Sequence, residues 1–331
     1  MSTHPSTGVS ASSITQKWTS FWFAPQLPWG LHILRACLGC VLIYWLWSMS
    51  GHIEEFFSYQ GWLDQSTLAD DVNQVDRLNW SMLHLIAHDP AKVTAFYWTS
   101  LAVLVLYTLG LFTRITSVLV YIIVVSFSAN PLIELETEVF FRILTFYLMV
   151  GYLLIDWNRD DYSTLQKVLT PWQHSLWNMF SGKHAVVSSA ATFSLRLLQV
   201  HVALAILSTG LHKLQMMEWW SGVAYWYPMH RPSMLSVDSL IDLRQRWPRY
   251  LAGVSLVTYL VVLWQLFFPY FAWRTGKWRV ILLGGALAGT IGLMVIYPIP
   301  QFGPTFLLLC LAFIHGNEWG KWFGRFLPGN S

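Results

Sequence analysis

Only 11% of this 331-residue chain is charged, 20 lysines and arginines against 17 aspartates and glutamates. Soluble domains carry roughly 25% charged residues, so the shortage excludes an ordinary water-facing surface. The formal net charge of +3 is too small and too scattered for a nucleic-acid footprint, which leaves nucleic acid out as a partner. Three cysteines cannot build a disulfide scaffold. No internal repeat at solenoid period is visible. Against these shortages stand a 55% hydrophobic content, a mean hydropathy of +0.45, 20 tryptophans and 14 tyrosines. Such rings collect at both faces of a bilayer. The fold class this implies is an all-α polytopic membrane protein, with the lipid bilayer as its first partner.

Apolar runs near the ~20 residues needed to cross a bilayer place spans at about 28–49, 93–112, 114–129, 139–155, 192–211, 250–273, 278–297 and 301–315. The sequence therefore predicts a bundle of about eight transmembrane helices, with interfacial helices in the outer loops. The last span is short and flanked by Pro300 and Pro304, as a half-helix or tilted segment would be. Residues 1–24 read as a disordered tail, 25–316 as the transmembrane domain and 317–331 as a short cytoplasmic interfacial tail. The start does not read as a cleavable signal, because Lys17 is far from the first apolar run.

Loop charge predicts a multi-pass protein of the cell membrane with both termini cytoplasmic. Arg114, the 156–191 loop with Arg159, Lys167 and Lys183, and Arg274, Lys277 and Arg279 then lie inside. Loop 50–92 carries Glu54, Glu55, Asp64, Asp70, Asp71, Asp76 and Asp89 against Arg77 and Lys92, and lies outside. The outer loop 214–248, with Arg231, Arg244 and Arg246, runs against this bias.

The stretch STGLHKLQMMEWWSGVAYWY (208–227) sets a hydrated ammonium at the outer end of an apolar run. His212 and Lys213 are followed by Trp219, Trp220, Gly222, Tyr225, Trp226 and Tyr227. The commoner fate of such a lysine is to snorkel its ammonium to the headgroups. The functional alternative is a base: burial among rings disfavours the charged form, and a neutral amine accepts protons near neutral pH. Gly222 permits close backbone approach, and the rings form either an interfacial belt or the roof of a site for a flat ligand.

Other polar residues interrupt the apolar runs. Glu138 and Arg142 stand at i, i+4 and read as a structural ion pair, since an intramembrane charge usually finds a partner. Arg35, Arg196, Gln199 and His201 are expected to face the bundle interior. Cys37 and Cys40 form C-x-x-C inside an apolar helix, which suits close helix packing better than redox chemistry. His84 and His88 share metal-ligand spacing, but no third ligand is evident, and an interfacial amphipathic helix is the expectation. No metal is implied.

Four motifs then follow in order: LGLFTRITSVLVYI (109–122), ANPLIELETEVFFRILTFYLM (129–149), DWNRDDYS (156–163), and TGLHKL with Trp219 and Gly222 behind it. Together they resemble the HTTM (horizontally transferred transmembrane) domain, the membrane module shared with vitamin K-dependent gamma-carboxylase, over about residues 25 to 320. In the carboxylase the lysine of the corresponding Gly-x-x-Lys-Leu stretch is the catalytic base. The resemblance therefore gives Lys213 that role, with His212 where the carboxylase has a second lysine. The carboxylase also has a functional histidine where this chain reads Thr137 and Glu138.

The resemblance implies a carboxylase-like (lyase) or oxidoreductase-like enzyme using a reduced quinone, a vitamin K-like hydroquinone, on a small lipophilic ligand or a peptide substrate. Trp219, Trp220, Gly222 and Tyr225 are the candidate substrate-binding residues. The rival expectation is a non-catalytic membrane scaffold, peptide-maturation or immunity protein of the same fold. A transporter is disfavoured, because no pair of broken, inverted-repeat helices is recognisable.

Overall fold

The computed structural model describes residues 11–62, 81–130, 133, 136–155, 187–229, 236–296, 301–316 and 318–319. In chain order its helices are α1 (Ala11–Phe23), α2 (Trp29–Trp47), α3 (Ile53–Phe57), α4 (Met82–Ile86), α5 (Pro90–Leu109), α6 (Thr113–Ser128) and α7 (Glu136–Leu154). Then come α8 (Ser189–Lys213), α9 (Met217–Trp220), α10 (Trp226–Met229), α11 (Val237–Arg246), α12 (Pro248–Phe271), α13 (Lys277–Ile296) and α14 (Phe302–Leu311). Among the described residues no strand forms; a single isolated bridge pairs Gln26 with Ser188. The chain is an all-α polytopic membrane protein.

Each of the eight expected spans contains an apolar helix, and six of these helices are long and apolar enough to cross a membrane. The other two, α6 and α14, are not: they have 16 and 10 residues, about 24 and 15 Å at 1.5 Å per residue, against the ~30 Å of a hydrocarbon core. The roughly eight segments expected are thus six full-length helices and two shorter apolar ones among the described residues. An apolar run reports lipid compatibility, whereas crossing needs length. α6 keeps the 16 residues of its run, while the turn after α5 ends that helix at Leu109 rather than at 112. There Gly110 (φ 83°) and Phe112 (φ 49°) both adopt left-handed backbone. Gly110 does so at no steric cost; Phe112 does not.

A second difference is α1, where the sequence suggests disorder. Its last turn is aromatic: Trp22 and Phe23 lie 6.1 and 5.3 Å from the Phe193 ring, the latter stacked. Arg196 donates Nε to Phe21 O at 3.1 Å and lies 4.6 Å over the Phe21 ring. Those contacts outweigh the Ser/Thr-rich composition. Residues 1–10 and most of the tail expected over 317–331 lie outside the described residues.

The chain divides into two compact units. One holds residues up to Glu134, Arg142–Leu198 and the chain from Ile314; the other holds Leu135–Phe141 and Gln199–Phe313. Between helices in lipid the hydrophobic effect gives little, so close packing and internal hydrogen bonds must hold them. In the first unit α2 meets α5 at Gly39, where an added Cβ would come within 2.1 Å of Thr108 Oγ1. α5 begins with Asp89 as N-cap, accepting from Ala91 N (3.1 Å) and Lys92 N (3.4 Å), with Pro90 at the first turn. Buried Arg114 donates to Ile155 O.

In the second unit Gly285 receives the Trp264 indole, and Gly289 receives Phe306. Thr290 Oγ1 reaches Gly303 O at 3.2 Å between α13 and α14. Gln199 donates to Ala312 O (2.7 Å) and accepts from Trp273 Nε1 (2.9 Å), while Arg279 Nη1 donates to Phe313 O (3.0 Å). Arg35, Arg196 and Gln199 are buried as expected, but His201 lies on the exposed face of α8. Cys37 and Cys40 are exposed as well, and the tight packing on that helix falls to Gly39 instead. Both faces of a membrane helix are apolar, so the sequence does not mark which one is buried.

Candidate functional site around Lys213

α8 ends at Lys213 with a tightening turn, in which Gln215 N donates to His212 O (3.0 Å) and Met216 N to Lys213 O (3.2 Å). The chain re-enters helix as α9, and the Trp219 ring returns to the lysine. Lys213 Nζ lies 4.5 Å from that ring centroid. It donates to Gln265 Oε1, on α12, at 2.8 Å.

Gly210 explains how the amide comes within reach. A Cβ there would stand 3.0 Å from Gln265 Cβ and 3.3 Å from Leu266 N. The missing side chain therefore lets α8 and α12 touch one turn before the lysine. In Gly-x-x-Lys, the glycine makes the approach and the lysine uses it.

The rest of the aromatic segment is built around this contact. Tyr225 meets Trp219 edge-on at 5.7 Å. Trp220 Nε1 donates to Leu214 O (2.5 Å), and the Tyr259 hydroxyl donates to Trp220 O (2.8 Å). Gly222 is buried with φ 75°, and a Cβ on it would come within 3.0 Å of Ser255 Cβ and Tyr259 Oη. Only glycine meets both demands cheaply. Lys213 and Trp219 are half-buried, Trp226 is buried, and His212, Trp220 and Tyr227 are exposed.

Chemically, the arrangement stabilises a cation. An amide oxygen accepts from the ammonium, a ring face offers its negative quadrupole, and the C-terminal carbonyls of α8 carry the negative end of the helix dipole. A ring face contributes about 0.5–2 kcal/mol depending on desolvation.

The other predicted residues are elsewhere. Glu138 is buried and Arg142 half-buried, one turn apart on α7. His84, on α4, lines a cleft of about 20 Å³ with Ser58, Ser81, Ser126 and Asn130, room for about one water. The His88 ring stands edge-on to Tyr59 at 4.6 Å. Among the described residues no group of three or more His, Cys, Asp or Glu could hold a metal ion.

Sequence reasoning missed Gln265 and Tyr259. Gln265 carried a signal: it is a long amide inside the apolar run LVVLWQLFF, where an unpaired amide is costly.

Compared with protein-family models, with curated proteins and with solved structures, the chain matches none.

Proposed function

We propose that this integral membrane protein acts on a flat, lipid-soluble molecule of the reduced-quinone class at the end of α8, with Lys213 as the proton-accepting group of a carboxylase-like enzyme. The observation that carries the reading is Lys213 Nζ between the Gln265 amide oxygen and the Trp219 ring. This gives a membrane-edge amine a defined direction, which a snorkelling lysine does not need. When bound, a hydroquinone supplies acidic phenolic O–H groups and reducing equivalents. The exposed rings of Trp220 and Tyr227 would hold it by its flat face. Lys213 would take the proton at Nζ after shedding its own, which requires loosening the two contacts that favour the ammonium. Both termini are placed in the cytoplasm in this reading.

The same contacts also latch α8, α9 and α12 together. They therefore favour a second reading, a non-catalytic scaffold or peptide-maturation protein. A short-chain hydroquinone titrated into the detergent-purified protein separates the two, with tryptophan fluorescence as readout. The enzyme reading expects saturable quenching that weakens in Trp220→Leu, and, with dissolved oxygen supplied as the two-electron acceptor, oxidation of the hydroquinone that stops in Lys213→Arg. A linear, unsaturable response in the wild type removes it and leaves the scaffold.

A further inference from the structure

The first unit buries a polar cluster that the reading above does not use. Three helices build it: His32 and Arg35 come from α2, Tyr107 from α5 and Tyr152 from α7. Arg35, Tyr107 and Tyr152 have 0% exposure and His32 has 7%. Glycine packing brings the helices together beside each tyrosine. Gly39 admits Thr108, the neighbour of Tyr107, and Gly151, the neighbour of Tyr152, admits Leu31 Cδ1 at 2.9 Å.

The donors are not equally placed. Tyr152 Oη and His32 Nδ1 are 2.7 Å apart, and in the Nε2-protonated tautomer the hydroxyl donates to the imidazole. The Arg35 guanidinium carbon lies 5.5 Å from the Tyr152 ring centroid. Arg35 and Tyr152 are also the electrostatic neighbours of Tyr107. Yet Tyr107 Oη, wholly buried, makes no hydrogen bond among the described residues. A buried O–H without an acceptor is destabilising, and in a native fold such a group calls for an explanation, a bound ion among them.

We propose that this cluster binds a small inorganic anion of halide size, held by the Arg35 guanidinium and the Tyr107 O–H. The hydroxyl needs an acceptor, which an anion supplies. All three large side chains are closed to solvent, so the smallest anions, halides, are the ligands to test. Water would satisfy the hydroxyl equally, but the adjacent guanidinium, in a low-dielectric interior, favours a negative ligand. The site belongs to one unit and owes nothing to Lys213.

The experiment is thermal unfolding of the detergent-purified full chain as chloride replaces gluconate at constant ionic strength. A ligand that binds only the folded state raises the melting temperature with concentration. The wild type should therefore rise by a few degrees and level off, with bromide acting likewise. Tyr107→Phe keeps the ring and loses the donor, so it should fold and show a much smaller rise. Arg35→Gln should show none where it folds, and Tyr107→Phe carries the test where it does not. A wild type indifferent to the anion overturns the proposal, and leaves water or an unmet hydroxyl at Tyr107. So does a Tyr107→Phe protein with the full wild-type rise, which would mark general salt stabilisation.

Discussion

Lys213 shows how far one side chain can be tested by its nearest relative. Arginine keeps the charge and can still reach an amide oxygen and a ring face, but it stays protonated at any ordinary pH. Lys213→Arg is therefore expected to fold with a melting temperature near the wild type's and to lose any turnover that needs a neutral amine. A fully active Lys213→Arg protein would take the base role away. Gln265→Leu should show the reverse pattern at the level of structure, losing about 1 kcal/mol of stability with the hydrogen bond. A separate prediction concerns His84, which lies outside the spans. Burial holds its imidazole below the usual 6.5, so the folded protein binds fewer protons there than the unfolded chain. Its contribution to stability is present above pH 6.5 and is lost as pH falls from there through the lower folded value. Melting curves on either side of pH 6.5 should show the loss, and His84→Gln should flatten it; an unchanged slope in the variant would exclude His84 as the cause. At this scale the lysine and its tryptophan were legible because six residues separate them in one segment. The partner amide was not, since it lies 52 positions further along the chain.

Among elements, adjacent glycines on α13 have opposite roles. A Cβ at Gly285 would fall 2.0 Å from Trp264 Nε1, while Gly284 has nothing within 4 Å. Gly285→Ala should therefore lower stability by about 1–3 kcal/mol through overpacking. Gly284→Ala should be neutral or mildly stabilising, because alanine is the better helix former. Equal effects in a thermal-shift comparison would mean that α12 and α13 do not pack on that face. Helix existence was legible in the chain because apolar runs of this length admit few other structures in lipid. Helix orientation was not: buried and lipid-facing surfaces are alike in hydropathy. His201 and the Cys37–Cys40 pair therefore turned outward against expectation. The left-handed turn at Gly110 and Phe112 was not legible either, and it ends α5 at Leu109, short of the 112 expected.

At the level of the whole molecule, loop charge predicts that the α4–α5 segment faces outward. Lys92 has a side chain 69% exposed and can report on this. In a protein with Cys37 and Cys40 changed to serine, Lys92→Cys should react with a membrane-impermeant maleimide in right-side-out vesicles. Labelling confined to inverted vesicles would reverse the topology and place Lys213 on the other face. Asp70, in the middle of the same acidic loop, lies outside the described residues.

The bond from Arg196 to Phe21 O spans 175 residues. A ribosome adding roughly 5–20 residues per second releases α1 on the order of ten seconds or more before its arginine exists. During that interval α1 has only the nascent chain's first hairpins and the bilayer surface for company. Trp18 and Ile14, 64% and 69% exposed in the finished protein, give it a face suited to resting at the lipid headgroups until α8 arrives.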